Sequence, residues 1–203
     1  MTARSFVLSC VGVLAAIAVM ACGDPLQVKA NLNTIDDTLA VFGLSDAPPS
    51  GPTALNTFVP RVVRLDPSQN YDVAFDIKRD QSGERTAYVY PARVVGQFGT
   101  AGIIKETTQS YEQITRAPVT GYGDTTAVAI KAGDVLLIQA ASYACAGQLI
   151  SARRFIYSKM VIDSVHYDLF DPSTNPSGNT IYFRMRVNPN CGFISLETGL
   201  PTF

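Results

Sequence analysis

The sequence has no tryptophan, a single histidine (His166) and only four cysteines in 203 residues. Without tryptophan there is no Trp-lined platform of the kind that stacks on sugars. One histidine rules out a multi-His metal centre within one chain. Charge of one sign is also lacking: 16 Lys and Arg stand against 17 Asp and Glu, net −1. No basic stripe is left over to neutralise phosphates, which excludes nucleic acid as the expected partner. The nucleophile elbow GxSxG, an SxxK acylating pair and the phosphate loop GxxxxGK[ST] are all missing. Gly96, Gly99 and Gly102 are spaced glycines, but not as GxGxxG and with no helical pattern after them, so they read as a turn. Long apolar runs are absent too. The run at residues 6–19, FVLSCVGVLAAIAV, has 14 residues, whereas a membrane-spanning helix needs about 20.

What is there begins with that run. Arg4 is the only charge before Cys22. A basic residue, a short apolar core and small residues after it have the layout of an export signal. The run ends in Val19-Met20-Ala21-Cys22, followed by Gly23. This resembles the lipobox of bacterial lipoproteins, although Met20 stands where a smaller residue is usual. The resemblance implies removal of residues 1–21 and a diacylglyceryl thioether on Cys22, which becomes the new N-terminus. More than one acyl chain gives durable attachment, because each buried CH₂ adds about 0.8 kcal/mol. Gly23, rather than an acid, after the Cys leans to sorting toward the outer membrane rather than the inner. Residues 22–35 then read as the lipidated Cys and a tether, and residues 36–203 as one domain.

Of the four cysteines, Cys10 lies in the discarded core and Cys22 takes lipid. Cys145 and Cys191 remain, an even pair in an oxidising compartment, and are expected to form a disulfide. Closing that loop contributes roughly 3–4 kcal/mol on the chain-entropy model and pins the C-terminal segment to the domain. Two Cys with one His and no CxxC do not make a zinc site, and no metal or cofactor is expected.

The body of the chain reads as strands. Tyr71, Val73, Phe75 and Ile77 alternate with Asp72, Ala74, Asp76 and Lys78, the period of a half-buried strand. Asp72 and Asp76 then face solvent. Residues 79–85 form a polar turn, TAYVY follows as a strand broken by Pro91, and ARVVG resumes it. TAVAI (126–130) and DVLLIQA (134–140) flank Lys131-Ala132-Gly133, which reads as a three-residue hairpin. Residues 155–167 and 180–187 flank a polar loop. TLAVFGL (38–44) and RVVRL (61–65) surround a Pro-rich link that reads as a crossover. Helical signals are poor; only SYEQITRA (110–117), stopped by Pro118, could form a short helix. The expected fold is all-β: an antiparallel sandwich of about eight strands with at most one short helix.

Catalytic constellations are hard to find. Asp72 and Asp76 share a face but lie roughly 13 Å apart at 3.3 Å per residue, beyond the spacing of a glycosidase pair. Asp163, Asp168 and Asp171 gather around His166. Asp171, Asn175, Gly178 and Asn179 offer oxygen ligands in a loop without the spacing or terminal Glu of an EF-hand. Ser158 and Lys159 are adjacent, so on a strand they face opposite sides. The best lead for binding is tyrosine, a residue favoured at interfaces: Tyr88, Tyr90, Tyr111, Tyr122, Tyr143, Tyr157, Tyr167 and Tyr182.

Ile162-Asp163-Ser164-Val165, Ile181-Tyr182-Phe183-Arg184 and Asn188-Pro189-Asn190-Cys191-Gly192-Phe193 resemble segments of a group of uncharacterised β-rich bacterial envelope lipoproteins. So does Thr38-Leu39-Ala40-Val41-Phe42 with its Pro-rich sequel. The resemblance implies an exported β-rich domain and brings no catalytic residue with it. The expectation is a non-enzymatic, lipid-anchored sandwich that binds an envelope protein or helps to organise the envelope. One alternative is a small-molecule or glycan binder with a Tyr-lined pocket. The other is a hydrolase built on Asp163 and Asp168.

Overall fold

The computed structural model describes residues 29–66, 68–96, 100–146, 154–168 and 178–201. Among these described residues there are ten strands: β1 Ile35–Phe42, β2 Ala54–Asn56, β3 Arg61–Val63, β4 Val73–Arg79, β5 Arg85–Pro91, β6 Ala101–Glu106, β7 Val128–Ile130, β8 Val135–Ala141, β9 Phe155–Tyr167 and β10 Asn179–Asn188. They make two five-stranded sheets, ordered β1-β10-β9-β8-β6 and β3-β2-β4-β5-β7. Every pairing is antiparallel. This is the expected all-β sandwich, with ten strands rather than about eight; β2, β3 and β7 are three-residue pieces.

The main core lies between the sheets, because alternate residues of each strand turn to the same face. Val73, Phe75 and Ile77 meet Ile181, Phe183, Met185 and Val187 there, together with Leu136, Ile138, Ile156, Met160 and Ile162. Phe75 stacks on Phe183 with ring centroids 5.3 Å apart. Truncating a buried Phe of this kind to Ala costs about 3–5 kcal/mol.

A β-bulge shapes β9. Ile162 pairs with Phe183 and Ser164 with Tyr182, which leaves Asp163 as the extra residue. The extra residue shifts the alternation by one, so Ile162 and Val165 both serve the same core.

Four local expectations change. The 131–133 link is not a hairpin: β7 joins β5 in one sheet and β8 joins β6 and β9 in the other. It is a corner between layers. Asp134 fixes it by accepting the Lys131 N–H at 2.8 Å and pairing with Lys105 at 2.6 Å. The segment after Pro91 does not resume the strand but makes a 3-10 turn, Ala92–Val95, closed by Gly96 at φ 86°. Residues 110–117 form turns and a single bridge, Arg116 to Ser195, rather than a helix. Asp72 and Asp76 do not face solvent. Asp76 is 3% exposed and accepts the N–H and hydroxyl of Ser45. Asp72 accepts the N–H and hydroxyl of Thr57. Each carboxylate ties a neighbouring loop to β4, a job that strand period alone does not reveal. The Pro-rich link does cross between the sheets, from β1 to β2.

The outer face of the β1–β6 sheet is covered as well. Tyr111, Ile114 and Ala117 from one loop, and Leu196 from the C-terminal segment, pack on Val135, Leu137, Tyr157 and Val161. The Ala117 N–H bonds the Ile194 carbonyl and the Leu196 N–H bonds the Thr115 carbonyl, so the two segments brace each other. Cys145 and Cys191 are joined, with Cα atoms 5.5 Å apart, and fasten the start of that C-terminal segment to the sandwich.

Candidate functional site

The clearest concavity is an open groove of about 450 Å³ on this covered face, between β1, β10 and the 107–117 loop. Asp36, Asp37 and Thr38 form one side, Arg184 and Arg186 the floor, and Tyr111 with Glu112 the other side. A second open hollow of about 450 Å³ lies at Ser45, Asp46 and residues 77–79.

The groove is built on a buried cation. Ser158 and Lys159 face opposite ways, as strand geometry requires: Ser158 lies in a run with Ile156 and Met160 on the inner face, and Lys159 lies under the loop. Lys159 is 1% exposed. Its ammonium donates to the carbonyls of Tyr111 at 2.7 Å and Ile114 at 2.8 Å, and sits 4.4 Å from the centre of the Tyr111 ring. Burial holds Lys159 below the usual lysine pKa, and the nearby Arg186 guanidinium pushes the same way. Burial also pushes the Tyr111 phenol up to about 12.

The charges around it are paired. Arg186 makes a two-pronged contact with Asp36, at 2.6 and 3.0 Å, and reaches the Leu196 carbonyl. The bond to Asp36 holds its guanidinium above the usual arginine range. Arg184 donates to both carboxylate oxygens of Asp163, at 3.0 and 3.2 Å, and approaches Glu112 at 4.0 Å. The two-pronged Arg186–Asp36 pair fixes orientation as well as charge, whereas Arg184 shares a single Nε–H between the two oxygens of Asp163. The groove therefore presents a mixed-sign, hydrogen-bonding surface rather than one unpaired reactive group.

One side of the groove is a sheet edge. The Gly43 N–H bonds the Asn179 carbonyl, so in this register the odd-numbered residues of β1 bond to β10 and the even-numbered ones turn outward. Phe42 satisfies its N–H on Pro52 and Thr38 on the Asp37 carboxylate. Asp36 and Asp37 place charge along the remainder, a common guard on an exposed edge.

Cys22 and Asp171 lie outside the described residues, as does Asn175. His166 is exposed on β9, and its ring meets the Tyr182 ring edge-on at 5.2 Å. Asp163 sits on the same outer surface, engaged by Arg184. Asp168 is exposed just past β9. The Asn179 side-chain oxygen accepts from Arg85 and its amide donates to Asp46. Among the described residues, no group of three or more His, Cys, Asp and Glu converges to hold a metal ion.

The tyrosines divide. Tyr90, Tyr111 and Tyr157 are buried, and Tyr88 packs beside Tyr90 under a satellite cluster. Tyr167 and Tyr182 are exposed. Tyr122 lies on Gly102, where a Cβ would stand 2.6 Å from the Tyr122 Cβ; burial raises its phenol pKa. Gly102 is thus a landing place for a tyrosine and not part of a phosphate loop.

Lys159 was hidden in the sequence because its neighbours are ordinary strand residues. The available signal was its place in the run Ile156-Tyr157-Ser158-Lys159-Met160-Val161-Ile162, where a charge is costly unless something satisfies it. Comparison of the sequence with protein-family models and with curated proteins finds no match.

Proposed function

We propose that this chain is a lipid-anchored protein of the bacterial cell envelope, held by a diacylglyceryl group on Cys22, whose β-sandwich is a non-enzymatic binding or structural module. The observation that carries the reading is the Cys145–Cys191 disulfide. A structural disulfide belongs to an oxidising compartment, which is where a chain with an export signal and lipobox is delivered. The sorting residue Gly23 favours the outer membrane over the inner.

The binding role draws on the groove beside β1. It is shallow, carries both signs of charge, and its acids and bases hold one another in fixed orientations. A surface like this suits the polar rim of a protein partner better than an enclosed small ligand. The glycan or small-molecule alternative needs a deep Tyr-lined pocket, whereas the tyrosines described here are either buried in packing or spread over the surface. For a hydrolase at Asp163 and Asp168, the Arg184 bond to Asp163 stands in the way.

The test is fractionation and pull-down from native envelopes with wild-type protein, Cys22→Ser and Arg184→Glu. Cys22→Ser is expected to leave the membrane after a salt wash. Arg184→Glu is expected to stay membrane-bound and lose the co-purifying partner. Membrane retention of Cys22→Ser contradicts the anchor; an unchanged partner set with Arg184→Glu contradicts the groove.

A further inference from the structure

The exposed apolar side chains are unevenly placed. Among the described residues, eight large hydrophobics are exposed: Leu32, Ile35, Val59, Val94, Val119, Tyr167, Tyr182 and Leu200. Five of them stand at one end of the sandwich. That end holds the start of β1, the end of β10, the start of β4 and the end of β5, as the registers Ile35 with Val187 and Val73 with Pro91 require. The opposite ends of the two sheets are tied together, since Arg85 at the β4–β5 hairpin bonds the Tyr167 carbonyl and Asn179. Leu32 and Ile35 enter β1 at the first end. Val59 lies in the β2–β3 turn and Val94 in the turn after β5. Leu200 is brought there because the Thr34 N–H bonds the Gly199 carbonyl and the Gly199 N–H bonds the Thr34 hydroxyl.

Hydrogen bonds place three of these positions. Asn190 fixes the entering chain by accepting the N–H groups of Asn31 and Leu32 and donating to the Leu32 carbonyl. Leu32, Val59 and Leu200 are 47%, 56% and 58% exposed, although the backbone at Leu32, Val59 and Gly199 is hydrogen-bonded. Folding gains little from leaving three such side chains in water at one end. Lys29, Arg61, Arg93 and Arg154 are exposed at the same end, with Glu197 nearby and Asp124 paired to Arg93.

The chain also approaches from this end. Lys29 is seven residues after Cys22, which spans at most about 25 Å when fully extended. We infer that this end of the sandwich is a lipid-contacting face, with Leu32, Val59 and Leu200 entering the headgroup and acyl boundary and the basic residues meeting headgroup phosphates. The inference rests on the Cys22 lipid anchor proposed above and goes further: it sets the orientation of the domain. It leaves the β1 groove on the flank and the β4–β5 turn, whose charges balance as Arg79 and Arg85 against Asp80 and Glu84, pointing away from the bilayer.

The absence of tryptophan makes the test clean. Single-Trp variants Leu32→Trp, Leu200→Trp, Val119→Trp and Tyr167→Trp are made in the full chain, isolated as the mature form and placed in phosphatidylethanolamine–phosphatidylglycerol vesicles with brominated acyl chains. All four sites are already exposed, so the indole is tolerated. A ring about 5–10 Å into the boundary loses roughly half its emission to the bromines. That loss is expected for Leu32→Trp and Leu200→Trp, and not for Val119→Trp or Tyr167→Trp. If the proteins co-float with the vesicles but the two end positions are not quenched, or all four are quenched alike, the orientation is overturned while the anchor stands. If they do not co-float, the anchor and the orientation fall together.

Discussion

Cutting the Cys145–Cys191 bridge is expected to be the most expensive single covalent change in the domain. The two residues are 46 apart in sequence. Loop-closure entropy for that separation gives about 4 kcal/mol, acting on the unfolded chain. Alanine suits the test at both positions, because Cys145 is fully buried in the main core, where a serine hydroxyl would add an unpaired polar group. The domain keeps other fasteners for its C-terminal segment. Gly192 bonds the Phe155 carbonyl, and the Asn188 amide donates to the carbonyls of Phe193 and Ser195. The Cys145→Ala/Cys191→Ala variant is therefore expected to fold, to lose about 4 kcal/mol in a denaturant titration and to melt roughly 10 °C lower. Amide exchange is expected to speed up first in residues 190–200. A loss below about 1 kcal/mol would refute the entropic argument. It would mean that the hydrogen bonds alone close the loop.

Three further outcomes test the packing. Lys159→Met keeps the apolar stem but leaves the Tyr111 and Ile114 carbonyls without their donor. It is expected to lose about 2 kcal/mol and to expose the 107–117 loop to protease, whereas unchanged stability would mean that relief from burying the ammonium cancels those bonds. Gly102→Ala sets a methyl 2.6 Å from Tyr122; a loss of about 1–3 kcal/mol is expected, with Tyr122 becoming accessible, and a neutral result contradicts the close approach. Tyr111 and Tyr122 have folded-state pKa values above the ordinary 10.0. Their contribution to stability is complete below pH 10 and is lost as pH rises through the folded values, so alkaline unfolding should coincide with a late tyrosinate absorbance step. Early ionisation of every tyrosine in the folded protein would contradict it.

Much of the fold was legible locally. The alternation through Val73, Phe75 and Ile77 marks the inner face of β4, and that face is buried. Cys145 and Cys191 could be paired by elimination. What local pattern could not supply was which distant segments cover the outer faces of the two sheets. Period 2 says which residues share a face, not whether a distant loop covers the other one. Hence Asp72 and Asp76 looked solvated, although Thr57 and Ser45 come to meet them. Lys131-Ala132-Gly133 has the length and glycine of a hairpin, yet the Gly133 N–H bonds the Ile162 carbonyl and the chain turns into the other sheet. The groove depends on Arg184, Arg186, Asp36 and Tyr111 meeting across separations of up to 150 residues. No spacing rule in a single sequence connects them.

The fate of Cys22 decides whether the domain is anchored by lipid. Intact-mass and N-terminal peptide measurements on protein extracted from native membranes test it directly. The expected result is a chain lacking residues 1–21 and beginning at a Cys22 that carries the mass of a diacylglyceryl group. A chain that retains those residues, or a mature chain with a free Cys22 thiol, contradicts it.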